Sequence, residues 1–272
     1  MPPVQTVRTA TVLVAGALLT GCAPPETPDY SDTDVSYPDD SPKIISVTPE
    51  SGTENVNRRP IIRISFDRSI DAASLDAGTV RLYSGPSGHW LTSYYNPFKR
   101  QVVVWPGGFL LRQSTWVTEL RSGLLGTNGQ PVKPEVVTEF RTGDDVLFDT
   151  PYTLRSFTDE IMPIFENRCT SCHGGSDALA GLRLDTESGI SETAISQPAL
   201  GRPNWDIITP TQPGRSYLLY KLIGDDDVPG ERMPRTLDED ETAEPLLDGE
   251  KEALLDWITT GAVFFDPEAS DK

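Results

Sequence analysis

Cysteine and histidine are scarce: among 272 residues there are three cysteines and two histidines. Three cysteines are too few to staple a disulfide scaffold, and an odd number leaves at least one that does not pair with another. Basic side chains are also in short supply, 23 against 41 acidic ones, for a net charge of −18. A chain this acidic does not neutralise phosphates unaided, which argues against nucleic acid as a partner. Long apolar runs are missing as well, since the apolar stretch from Ala10 to Leu19 is too short to cross a bilayer as a lasting helix. What is present, 37% hydrophobic residues with 24 prolines and 22 glycines, belongs to a globular protein with many turns. The length suits one large or two ordinary domains.

The N-terminus reads as a targeting segment. Arg8 supplies a positive start, the apolar stretch follows, and Leu19-Thr20-Gly21-Cys22 closes it. This resembles the bacterial lipoprotein signal. The resemblance implies that residues 1–21 are removed and that Cys22 carries the lipid, anchoring an exported chain to the cell membrane or outer membrane on its periplasmic or outer side. Two or more acyl chains make such anchoring stable. An ordinary secretory signal cut elsewhere leaves Cys22 a plain thiol on an exported chain. Residues 23–41 hold four prolines, six acidic residues and no basic one. This composition predicts an extended, solvated tether over 22–41.

From Pro42 to Gly143 the texture is β. Ile62-Arg63-Ile64-Ser65-Phe66 alternates apolar and polar residues, as a half-buried strand does. Short runs of the same kind occur at 44–48, 80–83, 102–105, 115–120 and 136–142. Turn signals separate them at Pro49–Gly52, Ser84–Gly88, Pro106–Gly108 and Thr127–Gly129. Many short strands with regular turns predict an antiparallel sandwich, and without cysteine in this stretch it has no inter-sheet disulfide. The Pro49–Gly52 turn, Val56, the strand ending at Phe66, Asp71 with Ser74-Leu75, Leu110-Leu111 and the closing Thr138-x-Phe140-x-Thr142 resemble the SbsA-type bacterial Ig-like domain. That resemblance implies a spacer or adhesion module over 42–143, without catalysis. His89, Trp90, Tyr94 and Tyr95 fall in a loop-like stretch. Ordinary aromatic packing at a sandwich end is the simpler reading, and a sugar- or partner-binding patch the alternative.

After a linker over 144–153 the period becomes helical. Phe157, Ile161, Ile164 and Phe165 mark a helix over 156–167, with Ser156 or Thr158 as N-cap. Two more helices are expected at 216–223 and 249–260, with Asp248 capping the last. Directly after the first helix stands Cys169-Thr170-Ser171-Cys172-His173. Cys-x-x-Cys-His reads as covalent haem c attachment. Two thiols at this spacing can each form a thioether with one porphyrin, and the adjacent histidine then lies under the iron. A zinc site would need further ligands, and after His173 the sequence contains neither Cys nor His. A thioredoxin-like pair would want a βαβ context that the flanking helices do not offer.

A second axial ligand has three candidates outside the targeting segment: His89, Met162 and Met233. His89 belongs to the other domain and Met162 to the helix preceding Cys169. Met233 stands in Val228-Pro229-Gly230-Glu231-Arg232-Met233-Pro234, a polar loop stiffened by proline. That setting favours a ligand over the core filler a lone methionine usually is.

Together Cys169–Gly174, Leu182–Leu184, Ser216–Gly224, Met233-Pro234 and Leu254–Ala262 resemble a class I c-type cytochrome domain of the kind found in planctomycete and myxobacterial envelope proteins. The resemblance implies an all-α domain over 154–266, followed by a tail at 267–272. One covalent haem c is then held by Cys169 and Cys172, with His173 and Met233 as metal ligands. It also implies crossed first and last helices with aromatic packing at the crossing, for which Phe165 and Trp257 are the candidates. The chain departs from the family after Met233-Pro234, where Arg235-Thr236 replaces the usual x-Gly.

A haem with His and Met ligands is coordinatively full, so the expected function is single-electron transfer and not catalysis. If Met233 does not bind iron, an open site would give a peroxidase-like or sensor protein. A structural lipoprotein whose haem domain serves a larger redox assembly is a third reading. Charge is divided unevenly: +4 over 42–143 and −17 over 144–272, with Asp225–Asp227 and Asp238–Glu241 flanking the Met233 loop. The acid either keeps the domain soluble or forms a rim that steers a redox partner with a basic face.

Overall fold

In the computed structural model, residues 37–224, 230–235 and 243–266 are described. The targeting segment, Cys22, most of the tether and both acidic runs beside the Met233 loop lie outside them. No helix among the described residues is long and apolar enough to cross a membrane.

Eight strands build the sandwich: β1 (Ile44–Thr48), β2 (Ile62–Phe66), β3 (Val80–Ser84), β4 (Ser87–His89), β5 (Leu91–Asn96), β6 (Gln101–Pro106), β7 (Thr115–Leu120) and β8 (Glu135–Arg141). They form two antiparallel four-stranded sheets, ordered β1-β2-β6-β5 and β4-β3-β7-β8. In the first sheet Ile62 faces Val104 and Ile64 faces Val102 in register. Their side chains meet Val80, Leu82, Trp116, Leu120 and Phe140 of the second sheet in one buried cluster.

The stretch read as loop-like is strand. Tyr94 and Tyr95 are consecutive in β5, so they point to opposite faces. Tyr95 enters the sandwich core, where its hydroxyl accepts the Ile70 N–H at 3.0 Å. Tyr94 joins Val103 and Trp105 in a second cluster formed with the helices that follow. The first sheet is therefore covered on both sides, by its partner sheet and by the helical layer. This explains why β6 carries the unbroken run Val102-Val103-Val104-Trp105, since a strand buried on both faces has no polar position to alternate with. The described residues from 37 onward group as one compact unit.

The helical layer contains α1 (Met162–Arg168), α2 (Glu187–Thr193), α3 (Tyr217–Ile223) and α4 (Asp248–Thr259). A π-helical turn, Phe157–Ile161, leads into α1. Pro163 has no N–H for the usual bond to Asp159, which favours a wide turn there. The Ser156 hydroxyl accepts the Asp159 N–H at 3.1 Å, and the Glu160 carboxylate accepts the Ser156 N–H at 2.9 Å. These reciprocal bonds resemble a capping box. At α4 the cap position is Leu247 and not Asp248, which lies in the first turn; Glu250 accepts the Leu247 N–H at 2.7 Å. The layer is not purely α. It includes a small antiparallel pair, β9 (Pro198–Ala199) with β10 (Arg202–Asp206), and its helices are short.

The expected aromatic contact is present. Phe165 of α1 and Trp257 of α4 meet edge to face at 5.8 Å between ring centroids, and Phe157 stands 5.8 Å from the same indole. Two further contacts fasten this layer to the sandwich. A Cβ on Gly214 would lie 2.7 Å from the Cβ atoms of both Ala72 and Tyr95, so the backbone approaches the sheet as only glycine allows. On α3, Leu218, Leu219 and Leu222 pack into the helical cluster while Tyr220 packs into the sandwich cluster.

Candidate functional site

The site begins where α1 ends. The Cys169 N–H reaches the Phe165 carbonyl at 2.8 Å, continuing the helical pattern one residue past Arg168. One tight turn follows, in which the Cys172 and His173 amides both bond the Cys169 carbonyl, at 3.2 and 2.9 Å. A Cβ on Gly174 would sit 2.7 Å from the Thr170 carbonyl oxygen, so a side chain there would force this turn open. Beyond it the chain is tied down by Leu179 N–H to the Cys172 carbonyl at 2.9 Å and Leu184 N–H to the His173 carbonyl at 2.8 Å. Asp185 accepts the Gly175 N–H at 2.8 Å.

Within this frame both thiols are free and partly buried. Cys169 packs against the helical cluster. Burial, with Glu250 adding to it, pushes its thiol up to about 12, so it stays protonated at neutral pH. His173 is also partly buried. Its Nδ1 lies 3.1 Å from the Leu179 carbonyl oxygen. A carbonyl only accepts, so Nδ1 carries the proton and donates. That leaves Nε2 as the ring nitrogen outside this bond, and the carbonyl holds the ring's direction.

Met233 packs, partly buried, against the same cluster as Cys169 and Leu182. Cys169 and Met233 are thus both among the partly buried residues packed against the helical cluster. Of the other two ligand candidates, Met162 lies in α1 and packs on that cluster. His89 is in β4 of the sandwich, its ring 6.0 Å from that of Trp116 and its Nδ1 3.1 Å from the Trp90 carbonyl. Beside it Trp90 is 86% exposed, whereas Tyr94 and Tyr95 are buried, so the four aromatics do not form one patch.

Ion pairs brace the layer around the site. Arg168 at the end of α1 grips Glu250 with two bonds, at 2.9 and 3.1 Å, tying α1 to the start of α4. Arg155 holds Asp256 through Nε and Nη2, at 3.0 and 2.9 Å, and Glu160 through Nη1 at 2.9 Å. Burial raises the Asp256 carboxyl above its ordinary value, and the Arg155 bonds offset this only in part. Reading the sequence names the thiols, the histidine and the methionine as candidates but not the groups packed and bonded around them. The Leu179 carbonyl has no side-chain signature. Asp185 is one acid among many, and only its place between the Leu184 and Gly175 hydrogen bonds marks it.

Family comparison divides the chain in the same way. Residues 38–142 match the family described as bacterial Ig-like domain, and residues 169–236 match the planctomycete cytochrome C family. No curated protein matches the sequence. Among solved structures, a crystal structure of the S-layer protein SbsC is 14% identical with a TM-score of 0.31, over 43% of this chain and 16% of that one. The present chain therefore spans only about a sixth of that protein's length. CopC from Methylosinus trichosporium OB3b is 12% identical with a TM-score of 0.32, over 39% of this chain and 99% of that one. L,D-transpeptidase 1 of Mycobacterium tuberculosis is 17% identical with a TM-score of 0.26, over 38% of this chain and 40% of that one. The family matches, and not these distant structural likenesses, describe the two segments: 38–142 is similar to a bacterial Ig-like domain and 169–236 to planctomycete cytochrome C.

Proposed function

We propose that this protein is a monohaem c-type cytochrome that transfers single electrons in the cell envelope, held to a membrane by lipid on Cys22. The observation that carries the reading is the Cys169–His173 turn, where two free thiols stand beside an imidazole whose Nδ1 is committed to the Leu179 carbonyl. This donor set fits haem c. It offers two reduced thiols for thioether bonds and one ring nitrogen for iron, and Gly174 keeps the turn closed. When bound, haem supplies a one-electron Fe(III)/Fe(II) couple.

The chain's own residues do the rest. With haem bound, Cys169 and Cys172 would hold the macrocycle, and His173 Nε2 and the Met233 thioether would bind its iron. A thioether favours the reduced state relative to a second imidazole and so raises the potential. Phe165, Leu184 and Trp257 keep water from the cluster on which Cys169 and Met233 lie. The acidic surplus of residues 144–272 would attract a redox partner with a basic face.

The test is the absorption spectrum of protein expressed with a haem c maturation system. A low-spin spectrum with the weak far-red band of a ferric iron–thioether bond, abolished in Met233→Ala, supports the assignment. A high-spin spectrum with ready carbon monoxide binding in the wild type would replace it with the peroxidase-like or sensor reading.

A further inference from the structure

Contacts to Lys221 and to the C-cap Gly224 join the segment around Met233 to the end of α3. The Met233 N–H donates to the Lys221 carbonyl at 2.7 Å. The Lys221 ammonium donates to the Glu231 carbonyl, passing so close under Gly230 that a Cβ there would be 2.8 Å from Nζ. The Arg232 stem lies across Gly224, where a Cβ would meet its Cβ, Cγ and Cδ at 2.8, 3.1 and 3.2 Å. The Arg232 head reaches on to the Ala243 carbonyl at 3.3 Å. Gly224 ends α3 in the left-handed region, φ 71°, where a side chain would be strained even without this contact.

From this we infer that Lys221, Gly224 and Arg232 form a seat that sets where the Met233 sulfur is held, and so tunes how firmly it binds iron. The inference rests on Met233 as distal ligand. The seat has fixed foundations, because Leu218, Leu219 and Leu222 pin α3 into the helical cluster and Tyr220 pins it into the sandwich cluster. These are positioning residues, acting through the backbone that carries Met233. Their sequence gives no warning of the role: a lysine and a leucine-rich helix ending in glycine read as an ordinary amphipathic helix and its C-cap. An intramolecular ligand competes with external ones by how well it is placed, so a displaced loop favours carbon monoxide on ferrous iron.

The experiment compares holoprotein of the wild type, Met233→Ala, Lys221→Met and Gly224→Val. Lys221→Met keeps the stem and helix propensity while removing the ammonium. It is the informative variant if Gly224→Val does not fold. The expected result for Lys221→Met and Gly224→Val is intact covalent haem, a weakened far-red band, a lowered midpoint potential and carbon monoxide affinity raised about tenfold, the factor that one such hydrogen bond represents in an equilibrium. If band, potential and carbon monoxide affinity in Lys221→Met equal those of the wild type while Met233→Ala loses the band, the seat is wrong and the ligand assignment stands. A wild type without the band overturns both.

Discussion

At the scale of single residues, direction matters more than identity. Cys-x-x-Cys-His is visible in the sequence, but the structure adds that His173 Nδ1 faces the Leu179 carbonyl at 3.1 Å, which leaves Nε2 as the donor. Backbone partners of this kind leave no trace in the side-chain pattern. Gly174 is legible as the residue after the histidine, and its reason is steric. Gly174→Ala would place a Cβ 2.7 Å from the Thr170 carbonyl. We expect it to cost about 1–3 kcal/mol, as over-packing does, read by chemical denaturation of the protein beside the wild type. Asp256 gives a pH prediction. Burial raises its carboxyl above the unfolded value. The native state therefore binds that proton more tightly than the unfolded chain does, and stability falls as pH rises from the ordinary carboxylate range through the raised value. The unfolding free energy of the wild type relative to Asp256→Asn should drop across that window and level off above it. A difference that is flat with pH would contradict this account.

At the scale of elements, long and strongly periodic segments were readable and their boundaries less so. The helices marked by Phe157, Ile161 and Phe165, by Leu218, Leu219 and Leu222, and by Leu254, Leu255 and Ile258 all form, within a residue or two of their expected ends. Helix α2 was not anticipated, because Glu187–Thr193 is rich in Ser, Thr and Gly, and it is started by the Thr186 hydroxyl accepting the Gly189 N–H at 3.0 Å. Strand β5 was hidden by its content. Tyr94 and Tyr95 are both buried, on opposite sides, so no alternation shows. The same holds for β6, whose unbroken Val102–Trp105 run signals two covered faces. The N-cap at Ser156 offers a measured check: Ser156→Ala should destabilise the chain by about 1 kcal/mol. Trp257→Ala, which removes the ring at the α1–α4 contact, should cost roughly 3–5 kcal/mol. Thermal unfolding of the two variants should keep that order.

At the scale of the whole molecule, the sandwich and the helical layer share their packing. Tyr94, Val103 and Trp105 give the helices a floor, while Trp205 and Tyr220 fill the sandwich side. Gly214 closes the joint against Ala72 and Tyr95. The Lys99–Glu252 pair across it, at 2.8 Å and about half exposed, adds little. The expected consequence is a single cooperative unfolding transition reported equally by sandwich and helical probes, which Gly214→Val should shift to lower temperature. Two separate transitions would instead mean layers that fold independently. The resemblances drawn from spacing and motifs agree with the family matches over 38–142 and 169–236. They did not reveal the contact between the parts, which depends on which face of β5 and β6 meets the helices.

The central claim, that Cys169, Cys172 and His173 form a haem c site, is tested most directly by the mass of the denatured polypeptide after expression with a haem c maturation system. A chain heavier by one haem, reverting to the bare mass in the Cys169→Ser, Cys172→Ser double variant, is the predicted result. A denatured chain of bare mass, with haem absent or washed away, would contradict the claim.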